Sequence, residues 1–385
     1  MEQKEKYTNM NKLNFLQKVV SKLRRSMYNL DIDLTVPRIY FEKTLLPPTP
    51  LNKVPKPNYY MPFLILVSNP CRHLVEKGGC VMCGYSNLAI FKRKISDEEV
   101  YRQFREGFKL IKKIPHHEMI AIGTPGSFLD ERETSRKIQR KIIKELDKKE
   151  GIYYINIESR AEFITEESLE NITESLKDPY KLAIGIGLES SNELVRERCI
   201  NKNMTTEEYI NAVKLLKKYD ISPTIYITCG KPFLSVKNDI EDAIHSINFA
   251  FDNGADRVVL LRIKVQPHTL IEFLYRKGLY KPTSLWTLIE IIKRIPEKRR
   301  RDVLIADPRL PKPLEVKAKC ECEATVSELL DQYKGTLDYT YIKAIDEIKC
   351  EYKKEMEKEM LKHRSIEKEI EEGHRQLKKY FGDIK

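Results

Sequence analysis

The chain has 385 residues, 41% of them hydrophobic and 33% charged. At about 150 residues per domain, that is two or three domains, or one large domain with extensions, with ample chain for a full core. No run approaches the ~20 apolar residues of a membrane span, and the opening MEQKEKYTNMNKLNF lacks an apolar signal core, so a cytoplasmic protein with no membrane partner is expected. Lys and Arg number 69 against 57 Asp and Glu, a net charge of +12. Such a balance favours a polyanionic partner, nucleic acid first, over the bland alternative of a lysine-rich proteome.

In chain order, an amphipathic helix is predicted near Asn9–Leu30. The stretch DLTVPRIYFEKTLLPPTPLNKVPKPNYY carries six prolines and reads as an extended connector with little regular structure. From Tyr60 the pattern alternates between apolar runs and helical periodicity. The predicted strands are MPFLILVSN, MIAIGT, IYYINIES, KLAIGIGLES, SPTIYITCG, DRVVLLRIKVQ and the short DVLIADP. Between them lie predicted helices such as DEEVYRQFREGFKLIKK, TTEEYINAVKLLKKY and VKNDIEDAIHSINFAFDN. Six or seven βα repeats with continuously apolar strands indicate an α/β fold: a parallel sheet covered by helices, either open and doubly wound or closed as a TIM-like barrel. In both, chemistry belongs at the carboxyl ends of the strands. Gly123–Asp130, Glu158–Arg160, Glu189–Ser190 and Cys229–Lys231 all fall there, as does the loop after the first apolar run. Beyond about residue 342 the chain reads as one or two charged helices packed by Ile345, Ile348, Met356, Met360 and Ile366. The divisions expected are 1–58 for the N-terminal helix and connector, 59–310 for the barrel core and 311–385 for a charged helical extension.

Eight cysteines occur, and Cys71, Cys80 and Cys83 cluster in NPCRHLVEKGGCVMCGYSN with the spacing C-x8-C-x2-C. In a cytosolic chain, clustered cysteines point to metal or catalysis rather than disulfides. Closed structural zinc sites want four ligands, which here would need His73 as well. Three thiolates suit a 4Fe-4S cluster with one iron open to an amine and a carboxylate, as in S-adenosylmethionine (SAM). Gly78, Gly79 and Gly84 suit a loop wrapped closely around such a cluster.

The three-cysteine loop, the strand before it and the βα repeats together resemble the radical SAM superfamily, in the long-gap branch typified by the elongator catalytic subunit. EKGGCVMCGYSN is similar to the corresponding segment of the radical SAM subunits of archaeosine synthases. IGTPGSFLDERE, NIESRAEFIT, GIGLESSNELVRERCINKNM and KVQPHTLIEFLYRKGLYKPTSLWTLIEII resemble the same family, from about Tyr60 to Lys293. The resemblance implies a partial or full (β/α)6-7 barrel with N-terminal and C-terminal extensions. It implies Cys71, Cys80 and Cys83 as cluster ligands and Met82 against the adenine of SAM. Gly123, Thr124, Gly126 and Ser127 would receive the SAM amino group. Glu158 and Glu189, with Ser190 beside the latter, would accept from the ribose hydroxyls, and Lys202 or Arg160 would pair with the SAM carboxylate. Each carboxylate has the alternative of a salt bridge at a barrel mouth.

The implied activity is that of a lyase on tRNA. An electron passed through the cluster splits SAM into methionine and a 5′-deoxyadenosyl radical, which takes hydrogen from a lysine-modified 7-deazaguanine. Cleavage of a C–N bond then yields archaeosine. The implied partners are tRNA, a synthase subunit that attaches the lysine, and an electron donor such as ferredoxin or flavodoxin. Of the basic tracts, RIPEKRRRD is the expected RNA contact. Two features depart from the family: VQPHT places Pro267 and His268 where the family has arginine and glycine, and PLEVKAKCECEATVSELL replaces a C-terminal cysteine stretch. Cys320 and Cys322 are then either half of a second metal site or free thiols. Rival readings are another radical SAM reaction on tRNA or a small molecule, and a zinc-containing RNA-binding protein.

Overall fold

The computed structural model describes residues 13–46, 55–114, 118–174, 176–178, 181–306, 312–314 and 320–382. Eight strands form one sheet in sequential order: β1 (Arg38–Leu46), β2 (Lys56–Ile65), β3 (Met119–Gly123), β4 (Tyr154–Ser159), β5 (Leu182–Glu189), β6 (Ser222–Cys229), β7 (Arg257–Arg262) and β8 (Val303–Ala306). β1 pairs antiparallel with β2, and every later pair is parallel. The sheet curls into a barrel with helices outside. Among the described residues no ladder joins β8 to β1, and the helix Glu323–Thr336, which touches β1, β2 and β8, covers that seam.

Local sequence explains where the helices start. Ser96 caps Asp97–Ile111 and Thr205 caps Thr206–Lys218, each in a reciprocal capping box with Glu99 or Glu208 three residues on. Ser135, Ser235, Ser284 and Ser365 cap four more helices by accepting a backbone N–H. The strands are buried on both faces because one face meets the helices and the other lines the barrel interior: β3 is buried at all five positions.

One expectation needs correction. The stretch expected to be a connector supplies β1, because prolines flank rather than interrupt RIYFEKTLL. Tyr40 packs edge-on against Phe63 of β2 at 4.9 Å, and Lys43 pairs with Asp331 at 2.8 Å. The prolines at 47, 48 and 50 lie outside the described residues. Among the described residues, Glu351–Met360 and Ile366–Phe381 are the two charged helices expected beyond residue 342, and Glu323–Thr336 and Thr340–Asp346 precede them. Ile345 and Met356 lie within the main core with Val326, Leu330 and Tyr333, so this region and the barrel share one interior. The N-terminal helix spans Phe15–Arg24, and the expected residues before position 13 lie outside the described part. Among the described residues, no helix is long and apolar enough to cross a membrane.

Gly107 of the helix Asp97–Ile111 allows that helix to lie directly on the barrel: an added Cβ would sit 2.5 Å from a methyl of Leu64 in β2. Gly107→Leu is expected to cost about 1–3 kcal/mol through overpacking. The urea midpoint followed by far-UV circular dichroism should fall accordingly.

Candidate active site

The barrel interior is a cavity of about 290 Å³ lined from β1 through β8 and by the cysteine loop. Its floor is set by small residues. Gly185 gives way to the Tyr226 ring, which an added Cβ would meet at 2.5 Å. Gly187 leaves space for the ammonium of Lys202 and the carboxylate of Glu189. The GIG of β5 is therefore clearance inside a barrel.

The cysteine loop follows β2 and is fastened from below by Arg24, the last residue of the N-terminal helix. Its fully buried guanidinium donates to the backbone carbonyls of Cys83 (2.8 Å) and Cys80 (2.7 Å) and to Ser86 Oγ (3.1 Å). Asn201 holds the other side, donating to the carbonyls of Lys77 and Gly79. Gly78 closes the short helix Arg72–Lys77 at φ 82°, a left-handed position that favours glycine.

Cys71, Cys80 and Cys83 all line the cavity. Burial pushes the Cys71 thiol up, with Glu133 adding to it and Arg160 opposing. Burial also raises Cys80, against the pull of Lys202 and Arg160. A metal would replace those protons, and the nearby Arg24, Arg160 and Lys202 would offset the resulting negative charge. Under the loop, Gly126 comes so close that an added Cβ would stand 2.8 Å from Cys71 Sγ and would collide with Glu133. Three thiols converging on one cavity, close backbone approach and surrounding cations fit an anionic iron–sulfur cluster. A single zinc fits less well. His73 Nε2 is already engaged at 2.6 Å with the carbonyl of Asn201, and burial, then Arg160, holds the ring neutral. Among the described residues, these four side chains do not bring their ligand atoms within 4.8 Å of one another.

Of the expected SAM contacts, Met82, Thr124 and Gly126 line the cavity, as do Glu158, Arg160, Glu189 and Lys202. Glu189 stands at a register shift between β5 and β6 with φ 64°, a strained conformation for glutamate. Its carboxylate accepts from Lys202 Nζ at 2.9 Å, with both side chains buried. Burial opposes the charge on Lys202, yet Glu189 and the Cys80 thiol outweigh it and hold the ammonium above its usual range. Arg160 grips the carboxylate of Glu162 and donates to the carbonyls of Lys202 and Asn203, so it braces the Lys202 segment. Burial pushes the Glu158 carboxyl up to about 7, partly countered by a hydrogen bond with Tyr226.

Three expected contacts lie outside the cavity lining. Ser190 Oγ turns back to donate to Asp242 at 2.7 Å. Ser127 Oγ accepts from the Arg160 backbone N–H at 3.1 Å, and Gly123 lies over the Phe63 ring. In the tract Lys298–Arg301, Lys298 and Arg301 are exposed, whereas the two arginines between them are engaged. Arg299 pairs with Asp252 at 2.5 Å, and Arg300 stacks on Tyr339 at 3.9 Å. Sequence reasoning missed Arg24, which lies 56 and 59 residues from its loop partners, and Glu133, which accepts from Ser127 N at 3.0 Å and Thr124 Oγ1 at 3.3 Å. It also missed the cavity-lining Tyr40, Tyr85 and Tyr226, which read in sequence as ordinary core aromatics.

A family model described as the radical SAM superfamily matches residues 76–247. An uncharacterised protein of Methanocaldococcus jannaschii is 31% identical, covering 75% of this chain and 79% of the relative. An archaeosine synthase subunit beta from Methanosarcina acetivorans is 33% identical, covering 60% of this chain and 66% of its own length. One from Thermococcus kodakarensis is 27% identical, covering 73% and 86%.

Two outcomes follow from this geometry. Arg24→Ala removes charged hydrogen bonds of about 1.5–3 kcal/mol each from the cysteine loop. Reconstituted iron per chain should fall by at least half with the far-UV spectrum unchanged, and Arg24→Lys should restore part of it. If the Glu158 carboxylate holds the ribose, SAM binding requires the ionised form. Affinity should then rise with pH, by up to tenfold per unit below pH 7, and level off above it. Glu158→Gln should bind more weakly with no such slope. Equilibrium dialysis with labelled SAM checks both.

Proposed function

This chain belongs to the radical SAM superfamily, and from that premise we propose that it is the radical-generating component of an archaeosine synthase acting on tRNA. The observation carrying this reading is the likeness to two proteins named archaeosine synthase subunit beta, at 33% and 27% identity. The superfamily's cofactors are a 4Fe-4S cluster and SAM, and together they supply a carbon-centred radical able to take a hydrogen atom from an unactivated C–H bond.

The chain's own residues do the remaining work. Cys71, Cys80 and Cys83 hold the cluster, with Arg24 setting the loop and Gly126 admitting it. Met82, Glu158, Glu189, Lys202 and the backbone at Thr124–Gly126 hold SAM. A buried carboxylate–ammonium pair such as Glu189–Lys202 orients a zwitterionic ligand and keeps its charges from drawing water into the barrel.

The rest of the cavity suits the arm of a lysine-modified base. Whichever of its nitrogens joins the base, a lysine-derived arm keeps one ammonium and one carboxylate. The cavity offers Glu42 of β1 for the first, and Arg262 and Lys264 at the end of β7 for the second. Tyr40 and Tyr85, with their hydroxyls 3.5 Å apart, give a wall on which a flipped base can stack. The excess positive charge supports a tRNA partner through phosphate contacts, which position without reading sequence. A synthase subunit that attaches the lysine, and a reductant such as ferredoxin or flavodoxin, complete the reading.

The test is 5′-deoxyadenosine release by anaerobically reconstituted protein given reductant, SAM and tRNA. Release should rise at least tenfold with tRNA carrying the lysine-modified base, and archaeosine should appear in its nucleoside digest. Release indifferent to that base would overturn the substrate and leave the superfamily chemistry standing.

A further inference from the structure

Far from the barrel mouth in sequence, three more cysteines meet. The Sγ atoms of Cys320, Cys322 and Cys350 all lie within 4.8 Å of one another, although Cys350 is 28 residues beyond Cys322. All three are unbridged, and Cys320 and Cys322 stand 2.7 Å apart, beyond the ~2.05 Å of a disulfide. Cys350 is buried in the core shared with the barrel, and the other two pack at its edge. We propose that Cys320, Cys322 and Cys350 bind one zinc ion as thiolates, separate from the cluster at the barrel mouth.

Geometry selects a single ion. A tetrahedral zinc with Zn–S bonds of about 2.3 Å sets its ligand sulfurs about 3.8 Å apart, under the 4.8 Å that bounds all three here, and Cys320 and Cys322 would part from 2.7 Å to reach it. A four-iron cube holds its ligands wider apart, as the cysteines of the barrel-mouth loop are held. Three soft thiolates select zinc over the hard cations, which take oxygen ligands. The fourth tetrahedral position then belongs to a solvent molecule.

The helices make thiolates favourable there. Cys322 is the N-cap of Glu323–Thr336, 14 residues long, and Cys350 is the N-cap of Glu351–Met360, 10 residues long. Two helix N-termini thus converge on the sulfurs, and their positive dipole ends favour anions. Binding releases the thiol protons and moves no electrons, so neither an oxidant nor a reductant is needed.

The position gives the ion a mechanical role. Glu323–Thr336 covers the seam between β1 and β8, and Glu351–Met360 packs through Met356 against Thr287 of the helix Leu285–Arg294. One ion at both N-termini ties the seam-covering helix to the helical layer of the barrel. The CxC pair is visible in the sequence, but its third ligand is not, because Cys350 comes into range only through the two intervening turns of chain.

The test uses the full-length protein purified anaerobically, with zinc and iron measured together by plasma mass spectrometry. About one zinc per chain is expected beside the cluster iron. Cys350→Ala should lower zinc at least tenfold and leave iron unchanged, and Cys71→Ala should do the reverse. Since Cys350 is buried, the wild-type protein gives a check that needs no variant: added cobalt(II) should show an intense thiolate-to-metal charge-transfer band, removed by one equivalent of zinc. Absent zinc together with a cobalt spectrum lacking that band would overturn the proposal. So would a Cys320–Cys322 disulfide in the freshly isolated protein, or loss of iron in step with zinc in Cys350→Ala.

Discussion

The geometry of the site depends on one fully buried guanidinium. Arg24 satisfies the carbonyls of Cys80 and Cys83 at once, and those two residues cannot keep their sulfurs on the cavity unless the backbone between them is held. Burying an arginine is costly unless it is fully bonded. Here the loop carbonyls and Ser86 meet that need, and burial lowers the guanidinium's pKa while the neighbouring thiols pull it back up. The N-terminal helix is thus part of the active site.

Around that anchor, the barrel balances charge among buried side chains. The thiols and the carboxyls of Glu133, Glu158 and Glu189 are the acidic groups there, and Arg24, Arg160 and Lys202 supply the positive charge. Burial alone would neutralise the acids, and it raises Glu133 well above the usual carboxylate range. The Glu189–Lys202 pair survives as an ion pair because each partner is the other's solvent. The strained φ of Glu189 belongs to the same economy of space, since a bulge there turns a carboxylate into the barrel that regular pleating would point elsewhere.

Much of this was legible in the sequence, for identifiable reasons. The parallel strands were readable because each is an apolar run bounded by a capped helix, and β3, β4, β5 and β6 begin or end within two residues of the runs MIAIGT, IYYINIES, KLAIGIGLES and SPTIYITCG. The three cysteines were readable because soft ligands at close spacing have few other uses. Strand β1 was hidden by its flanking prolines, which signal irregular chain regardless of what lies between them. Arg24 and Glu133 were hidden because long-range partners leave no periodicity. Ser190 illustrates a related point: a strand end fixes the neighbourhood of a side chain but not its rotamer, and the Ser190 hydroxyl donates to Asp242. His268 illustrates the reverse. It holds φ 59° at a position where the resembled family has glycine, and a hydrogen bond between its backbone N–H and Glu272 at 2.6 Å sustains a turn that glycine would adopt freely.

On the proposed reading, Cys71, Cys80 and Cys83 would hold the cluster that engages SAM inside the barrel. Electron paramagnetic resonance of the reconstituted and reduced protein tests it directly. Added SAM should shift the g-values of the reduced cluster, and Lys202→Ala should weaken the SAM concentration dependence of that shift. A cluster signal indifferent to saturating SAM would contradict the account.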